Sequence, residues 1–287
     1  MNFSPVTGHP TKHDAFEING NDTNKIREGG KSFVGYRESK SGGIWNSDGI
    51  LTAQITSSNE VYVRMYVKFQ PGWTEKGISK LLRIQSWDGT GNIFSYFTDG
   101  TNSPIVLWDI SHSDGFGVRN ALAVRGDPRI TNYYMTDPLL LNLPRSLTNG
   151  DLSLNFDGNI RDLNGDNVDD NSVTLIDRLT GLPILPGTIE MSQVYGSAWN
   201  KIELYVKMNS GAAIADGVLK QWINDQLCFQ NTEMSWQGNG NAGNRQWNVV
   251  AIGGNDFFEE YPASSAVEEW YAIDDIEVHN ALPVERQ

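Results

Sequence analysis

Hydrophobic and polar residues alternate along most of this chain, most regularly in residues 60–69 and 200–209. Successive side chains of a β-strand point to opposite faces, so each segment is predicted to be a strand with one buried face. The predicted core residues are Val61, Val63, Met65, Val67, Phe69, Ile202, Leu204, Val206 and Met208. The opposite faces carry charged residues and tyrosines, which predicts a sheet with a polar, ring-bearing outer surface.

Shorter segments of the same kind recur throughout the chain, whereas helical periodicity is nearly absent. Asn224 and Asp225 tolerate a positive φ and predict a tight hairpin turn. With 29 glycines available for turns, the pattern favours an all-β fold, a two-sheet antiparallel β-sandwich of the jelly-roll type. The further predicted strands are 32–37, 50–56, 80–85, 93–97, 105–109, 117–124, 218–223, 226–230, 246–252 and 269–279.

The strand pattern continues through all 287 residues, and this continuity favours one large domain. A boundary near residue 150 is the alternative, but no Pro- or Ser-rich linker separates two halves that carry the same pattern. We therefore expect an N-terminal arm over residues 1–30 and a single jelly-roll sandwich over residues 31–287. A long insertion is expected at about residues 126–195.

The chain is strongly acidic, with 22 basic and 35 acidic residues and a formal net charge of −13. Such a charge repels phosphate backbones and anionic lipid, so neither nucleic acid nor a membrane is expected as a partner. No apolar run is long enough to cross a bilayer, and the first ten residues lack the basic and apolar regions of a signal peptide.

Residues 162–170 repeat the Asp/Asn spacing of short calcium loops. Oxygens at alternate positions of such a loop converge on one hard cation, which predicts a structural Ca²⁺ site. Two departures are Asn167, where Gly is usual, and Val173, where an EF-hand has a closing Glu. The alternative is a solvated acidic turn. The predicted ligands are Asp162, Asn164, Asp166, the carbonyl of Val168, and Asp170.

Support for nucleophilic or glycosidase chemistry is weak. The single cysteine, Cys228, lies in a predicted strand and is interpreted as a core residue. The chain has no Gly-x-Ser-x-Gly motif, and its adjacent carboxylate pairs would point to opposite faces of a strand. Among the four histidines, His112 is the one considered for chemistry.

Several stretches resemble concanavalin A-like jelly rolls, the lectin and glucanase fold, in their polysaccharide-lyase form of the alginate- and glucuronan-lyase type. They are Trp-Asn-Lys-Ile-Glu-Leu-Tyr-Val-Lys at 199–207, Asp-Gly-Val-Leu-Lys-Gln-Trp-Ile-Asn at 216–224, the strand at 270–279 and the segment 61–73. The resemblance covers about residues 60–85 and 195–282, and it implies the fold more strongly than an activity.

In lyases of this kind a Tyr or His removes a proton beside a uronate carboxyl group, and Arg, Gln or Asn neutralises that group. The resemblance implies Arg37, Gln54, Tyr205 and Lys207 as the residues for this chemistry. His112, the one histidine considered above, completes the candidate set for a lyase. Two family motifs are incomplete here, because Ser39 breaks the Arg-x-Glu pattern and Thr56 stands where the base is expected. Efficient catalysis is therefore not expected.

We expect a non-catalytic, carbohydrate-binding or structural jelly roll that acts outside the cell, with a polysaccharide or cell-surface glycan as partner. A phage virion surface or decoration protein, with virion or homo-oligomer neighbours, fits this expectation. The alternatives are a uronate polysaccharide lyase, and a sheet surface whose rings a second sheet or a partner chain covers. The predicted carbohydrate contacts are Tyr62, Arg64, Tyr66, Lys68, Glu203, Tyr205 and Lys207.

The calcium prediction can be tested with Asp166→Ala. This change is expected to abolish calcium binding in calorimetry and to lower the melting temperature in calcium, because it removes a central carboxylate ligand. Chelator should lower the melting temperature of the unaltered protein only. Absence of calcium binding, with equal melting temperatures for both proteins, would contradict the assignment.

Overall fold

A computed structural model describes residues 2–4, 16–38, 45–47, 50–71, 77–91, 93, 104–113, 117–125, 198–211, 214, 216–234, 236, 245–253, 255–258 and 268–287. The secondary structure of these residues consists of β-strands and one short 3-10 helix at Val284–Arg286. The strands are β1 (Asn2–Ser4), β2 (Phe16–Asn19), β3 (Ser32–Glu38), β4 (Trp45–Ser47), β5 (Ile50–Ser58), β6 (Glu60–Phe69), β7 (Gly77–Gln85), β8 (Ile105–Ser113), β9 (Gly117–Arg125), β10 (Asn200–Lys207), β11 (Gly217–Ile223), β12 (Gln226–Met234), β13 (Trp247–Ile252), β14 (Asn255–Phe258) and β15 (Glu268–His279).

The strands form two antiparallel sheets. Sheet A has the order β1-β5-β13-β7-β14-β4, and β8 joins β7 to β9. Sheet B has the order β12-β11-β10-β6-β15-β3-β2. This arrangement is the predicted β-sandwich. Within the described residues, no helix is long and apolar enough to span a membrane.

A single large core cluster contains side chains from both sheets. Val61, Val63 and Val67 of β6 and Ile202 and Leu204 of the neighbouring β10 have no exposed surface, as the alternation predicts. Burying an aliphatic side chain of this size contributes about 1.5–3 kcal/mol, so the inner face of sheet B is a principal source of stability. Trp236 and Trp247 meet edge to face in the same cluster, with ring centroids 5.1 Å apart.

The predicted turn at Asn224 and Asp225 is confirmed, with φ angles of 50° and 69°. The Asn224 side chain also ties this hairpin to β10. Its Oδ1 accepts the backbone N–H of Lys201 at 2.9 Å, and its Nδ2 donates to Asn200 Oδ1 at 2.9 Å. The turn residue therefore joins three strands of sheet B.

Four short strands, β1, β2, β4 and β14, were not predicted. They have three or four residues each, which is too short for alternation to be recognised. Because β1 pairs with β5 and β2 with β3, parts of the segment predicted as an N-terminal arm belong to the sheets.

Of the predicted strand 93–97, the structure describes only Ile93, which lies in a turn. Residues 94–97, the predicted insertion at 126–195 and the predicted calcium loop within it lie outside the described residues.

Gly35 of β3 offers a test of the packing between β3 and β15. A Cβ at this position would overlap the ring of Tyr271, which has no exposed surface. Gly35→Ala is therefore expected to destabilise the fold by about 1–3 kcal/mol in urea unfolding. Gly30→Ala serves as the control, because its Cβ would come no closer than 3.4 Å to another atom. Equal stabilities of the two variants would show that Tyr271 moves without cost.

Candidate functional site on sheet B

The outer face of sheet B brings all seven predicted carbohydrate contacts onto two neighbouring strands. The antiparallel register places Tyr62 opposite Tyr205, and Arg64 opposite Glu203. On the other side of β6, the register places His279 of β15 opposite Tyr62. The sequence therefore predicted correctly which residues share this face. The register does not decide which of them meet solvent.

Half of this face is covered. Tyr62, Tyr205 and Trp222 are 2%, 5% and 6% exposed and form one buried cluster, against which Leu282 packs. Tyr62 and Tyr205 were expected to offer open rings to a sugar, and the structure instead places them beneath the C-terminal residues. Among the described residues, this cover is a segment of the same chain. Lys207 remains exposed.

A polar network lies inside the covered half. Glu203 is 1% exposed, and its carboxylate accepts two hydrogen bonds from Arg286, Nε to Oε1 at 2.8 Å and Nη2 to Oε2 at 2.7 Å. The Tyr62 hydroxyl donates to the same carboxylate, and the Tyr205 hydroxyl donates to Glu60. Burying a carboxylate is costly unless it is paired and hydrogen-bonded, and Arg286 with Tyr62 meets that need.

The two phenols are not poised as bases. Burial raises the pKa of Tyr62 and of Tyr205, and the hydrogen bonds to Glu203 and Glu60 raise each pKa further. Both hydroxyls therefore keep their protons at neutral pH. A general base must be able to accept a proton from its substrate, so neither tyrosine fits that role in this arrangement.

The other half of the face is partly open, and we call it the open patch: Lys25, Tyr66, Lys68, Trp199 and Trp270. All five side chains are partly buried and partly exposed. Trp199 and Trp270 pack against the same small cluster around Ala272, and Ala272 pairs with Lys68. The open patch therefore combines three rings with two ammonium groups.

Cations from the segment before β3 lie over the rings of this half. The Lys25 ammonium is 5.6 Å from the centroid of the Trp270 ring and donates to the Tyr36 hydroxyl at 2.8 Å. The Arg27 guanidinium carbon is 3.6 Å from the centroid of the Tyr66 ring. Such cation–π contacts contribute about 0.5–1 kcal/mol each at exposed sites. Both cations also pair with carboxylates: Lys25 with Asp22 at 3.5 Å, and Arg27 with Glu28 and Asp275.

The sequence did not single out Trp199, Trp270, Lys25 or Arg27 as site residues. Both tryptophans stand in the stretches that carry the family resemblance, where they were interpreted only as signs of the fold. Trp270 alternates with the buried Tyr271, and this alternation is the signal that places its ring on the outer face. Lys25 and Arg27 lie outside any strand and carry no periodic signal.

The residues implied for lyase chemistry are not brought together. Gln54 lies on β5 of sheet A and alternates with Ile55, which packs against the core, so it belongs to the outer face of sheet A. Tyr205 and Lys207 belong to the outer face of sheet B. Arg37 lies on β3 of sheet B, and His112 on β8 of sheet A. Gln54 and Tyr205 thus lie on opposite sides of the sandwich.

A metal site is a separate question from this face. No group of three or more His, Cys, Asp or Glu side chains that could hold a metal ion occurs among the residues that the structure describes. The predicted ligands at 162–170 are outside that part of the chain.

Comparison with solved structures identifies the fold. The alginate lyase of family PL-14 from Aplysia kurodai is 10% identical with a TM-score of 0.53, over 93% of this chain and 87% of that one. The alginate lyase vAL-1 from Chlorella virus is 12% identical with a TM-score of 0.51, over 92% and 88%. Alginate lyase Aly36B is 12% identical with a TM-score of 0.50, over 91% and 86%. No protein-family model and no curated protein matches the sequence. The chain thus has the concanavalin A-like jelly-roll fold that its motifs resemble.

The raised pKa values of Tyr62 and Tyr205 predict a loss of stability in alkali. Tyrosines of the unfolded chain ionise near pH 10, whereas these two keep their protons in the folded chain. Above that pH the folded state binds more protons than the unfolded state, so the free energy of unfolding falls as pH rises. Urea unfolding over a pH series should show this decline.

The decline should be shallower in Tyr205→Phe, which has no proton to hold at that position. Trp222→Phe is the matched control, because it alters the same cluster without removing a titrating group, and its slope should equal that of the unaltered protein. An unchanged slope in Tyr205→Phe would contradict the burial of a protonated Tyr205.

Proposed function

We propose that this domain binds an acidic polysaccharide on the open patch of sheet B. The proposal rests on one arrangement: three partly exposed rings lie beside two ammonium groups. The rings are those of Trp199, Trp270 and Tyr66, and the ammonium groups are those of Lys25 and Lys68. Aromatic rings offer an apolar face for the C–H surfaces of a sugar, and a few well-placed charges fix its orientation.

The charge of the patch favours an acidic sugar over a neutral one. The whole chain has a formal net charge of −13, so a polyanion is attracted only where cations are locally concentrated. Lys25 and Arg27, from the segment before β3, and Lys68 of β6 lie on this part of the outer face. Lys25 pairs with Asp22 at 3.5 Å and Arg27 pairs with Glu28 and Asp275, so Lys68 is the cation proposed to meet a uronate carboxylate. Uronate carboxylates are anions that ammonium and guanidinium groups pair with directly.

The similarity to solved structures supports a polysaccharide as the partner. Three of the similar structures are alginate lyases, and Aly36B has been determined in complex with an alginate trisaccharide. At identities of 10–12% these similarities define the fold alone, so the ligand of this chain remains part of the proposal.

A uronate lyase is the second candidate function. Its support is a row of side chains of the types that lyases use for proton transfer, on four adjoining strands of the outer face. The row consists of His279, Tyr62, Tyr205 and Lys220. Against it, Tyr62 and Tyr205 are covered protonated donors, and the residues implied by the resemblance lie on two sheets. We therefore favour binding without efficient turnover.

The place of action is a further part of the proposal. A virion or other extracellular surface, with copies of the chain or virion proteins as neighbours, agrees with a glycan-binding jelly roll. Detection of this chain by mass spectrometry in purified virus particles would test this placement. The calcium loop is tested by Asp166→Ala.

Substitutions in the open patch test the binding proposal. Trp199→Ala and Trp270→Ala are each expected to weaken alginate binding by about 1–2 kcal/mol, a factor of about 5–30, because each removes a stacking ring. Lys68→Ala should weaken binding at low salt more than at high salt, since salt screens its charge. Calorimetry at two salt concentrations gives both measurements.

Trp87→Ala is the matched control. Trp87 is also partly buried, but it follows β7 of sheet A, so its loss should leave the affinity unchanged. Equal affinities for the unaltered protein, Trp199→Ala and Trp270→Ala would contradict the proposal. Ultraviolet absorbance of the same mixtures decides between the two functions, because β-elimination creates an absorbing double bond. Steady product formation that disappears in Tyr205→Phe would favour the lyase.

A further inference from the structure

The covered half of the outer face is closed by six residues, 282–287, which we call the C-terminal strap. The strap follows β15 and crosses the face from Tyr62 on β6 to Trp222 on β11. Leu282 packs on the buried rings near its start, and Arg286 reaches Glu203 on β10 and Asp225 in the hairpin turn. No hydrogen-bonded strand pairing joins the strap to sheet B within the described residues.

The strap is attached mainly at one residue. Arg286 makes a two-bond contact with the carboxylate of Glu203, pairs with Asp225, and has its guanidinium carbon 5.7 Å from the centroid of the Trp222 ring. The 3-10 helix of the strap buries none of its residues, and Val284 is 81% exposed. Fixing the strap therefore depends on one guanidinium and one leucine.

The surface beneath the strap has three rings, as the open patch does, but carries the carboxylates of Glu60 and Glu203 in place of ammonium groups. Tyr62 pairs with Tyr205, and Trp222 on the next strand pairs with Glu203, so the three rings lie on neighbouring strands with Trp222 displaced by two residues. Arg64, which is partly exposed and pairs with Glu277, lies on β6 between Tyr62 and Tyr66 of the open patch. With the strap removed, the two halves would form one surface in which Arg64 separates two groups of rings.

We propose that the C-terminal strap is a releasable cover, and that its release exposes Tyr62, Tyr205 and Trp222 as a second carbohydrate subsite. This inference rests on the proposed binding function. The subsite would bind a neutral sugar unit by ring stacking, and Glu203 and Glu60 would accept hydrogen bonds from sugar hydroxyls in place of the tyrosines and Arg286. A neutral sugar unit and the strap then compete for one half of the face.

Arg286→Ala is the principal test. It removes the two-bond partner of the buried Glu203 carboxylate and leaves the Lys201 ammonium 3.9 Å away. Exposure to water relieves the cost of the weakened pairing, so the variant should favour the open strap. Tyr62 and Tyr205 should become reactive toward tetranitromethane, as mapped by mass spectrometry, whereas Tyr36, buried away from the strap, should stay protected. The affinity for a neutral oligosaccharide such as cellohexaose in calorimetry should rise by about 5-fold or more, because new rings become available. The bared carboxylates of Glu203 and Glu60 oppose a polyanion, so a neutral probe is the one to use.

Three further variants complete the experiment. Leu282→Ser loosens the apolar attachment and should act in the same direction if Arg286→Ala does not fold. Arg286→Lys keeps the charge but loses the two-bond geometry and should give an intermediate effect. Val284→Ser changes the exposed residue of the strap and should leave both the nitration pattern and the affinity as they are in the unaltered protein.

The outcomes separate this inference from the proposed function. If Tyr62 and Tyr205 stay protected in folded Arg286→Ala and Leu282→Ser, the strap is not a releasable cover. If they are nitrated while the cellohexaose affinity stays constant and Trp270→Ala still weakens alginate binding, the cover exists but hides no subsite, and the inference fails while the proposed function stands. If alginate binds neither the unaltered protein nor any variant, the proposed function fails and the inference falls with it.

Discussion

The rest of this structure depends on the alternation of side chains between the two faces of each β-strand. The pairing of β6 with β10 and β15 fixes which residues of neighbouring strands share a face. The same register that points Val61, Val63 and Leu204 into the core points Tyr62, Arg64 and Glu203 outward. A slip of one residue would expose the valines and bury the charges. The composition of the outer face is therefore fixed by the stability of the core.

Much of the fold could be predicted because alternation is a local signal. It identified the strands of both sheets that have six or more residues, and it placed the turn at Asn224 and Asp225. It could not identify β1, β2, β4 and β14, since three or four residues do not establish a period. The pairing of Phe16–Asn19 with β3 is decided by tertiary packing, which a local pattern does not contain.

The candidate site could be predicted less completely, because alternation assigns a face and not its exposure. Tyr62 and Tyr205 were placed on the correct face, yet Leu282 and Arg286 cover them from more than 70 residues further along the chain. An Arg that pairs with a distant Glu leaves no periodic trace in the sequence. The same holds for Lys25 over Trp270, where the cation comes from an irregular segment.

The position of β15 between β3 and β6 has a consequence for how the chain folds. The two strands that β15 joins are made early in synthesis, whereas β15 itself is made about 200 residues later. Closing so long a loop is slow, and until it closes both β3 and β6 keep an unpaired edge. Sheet B is therefore completed only after β15 has been made, and until then the open edges of β3 and β6 are where the chain is most exposed to aggregation.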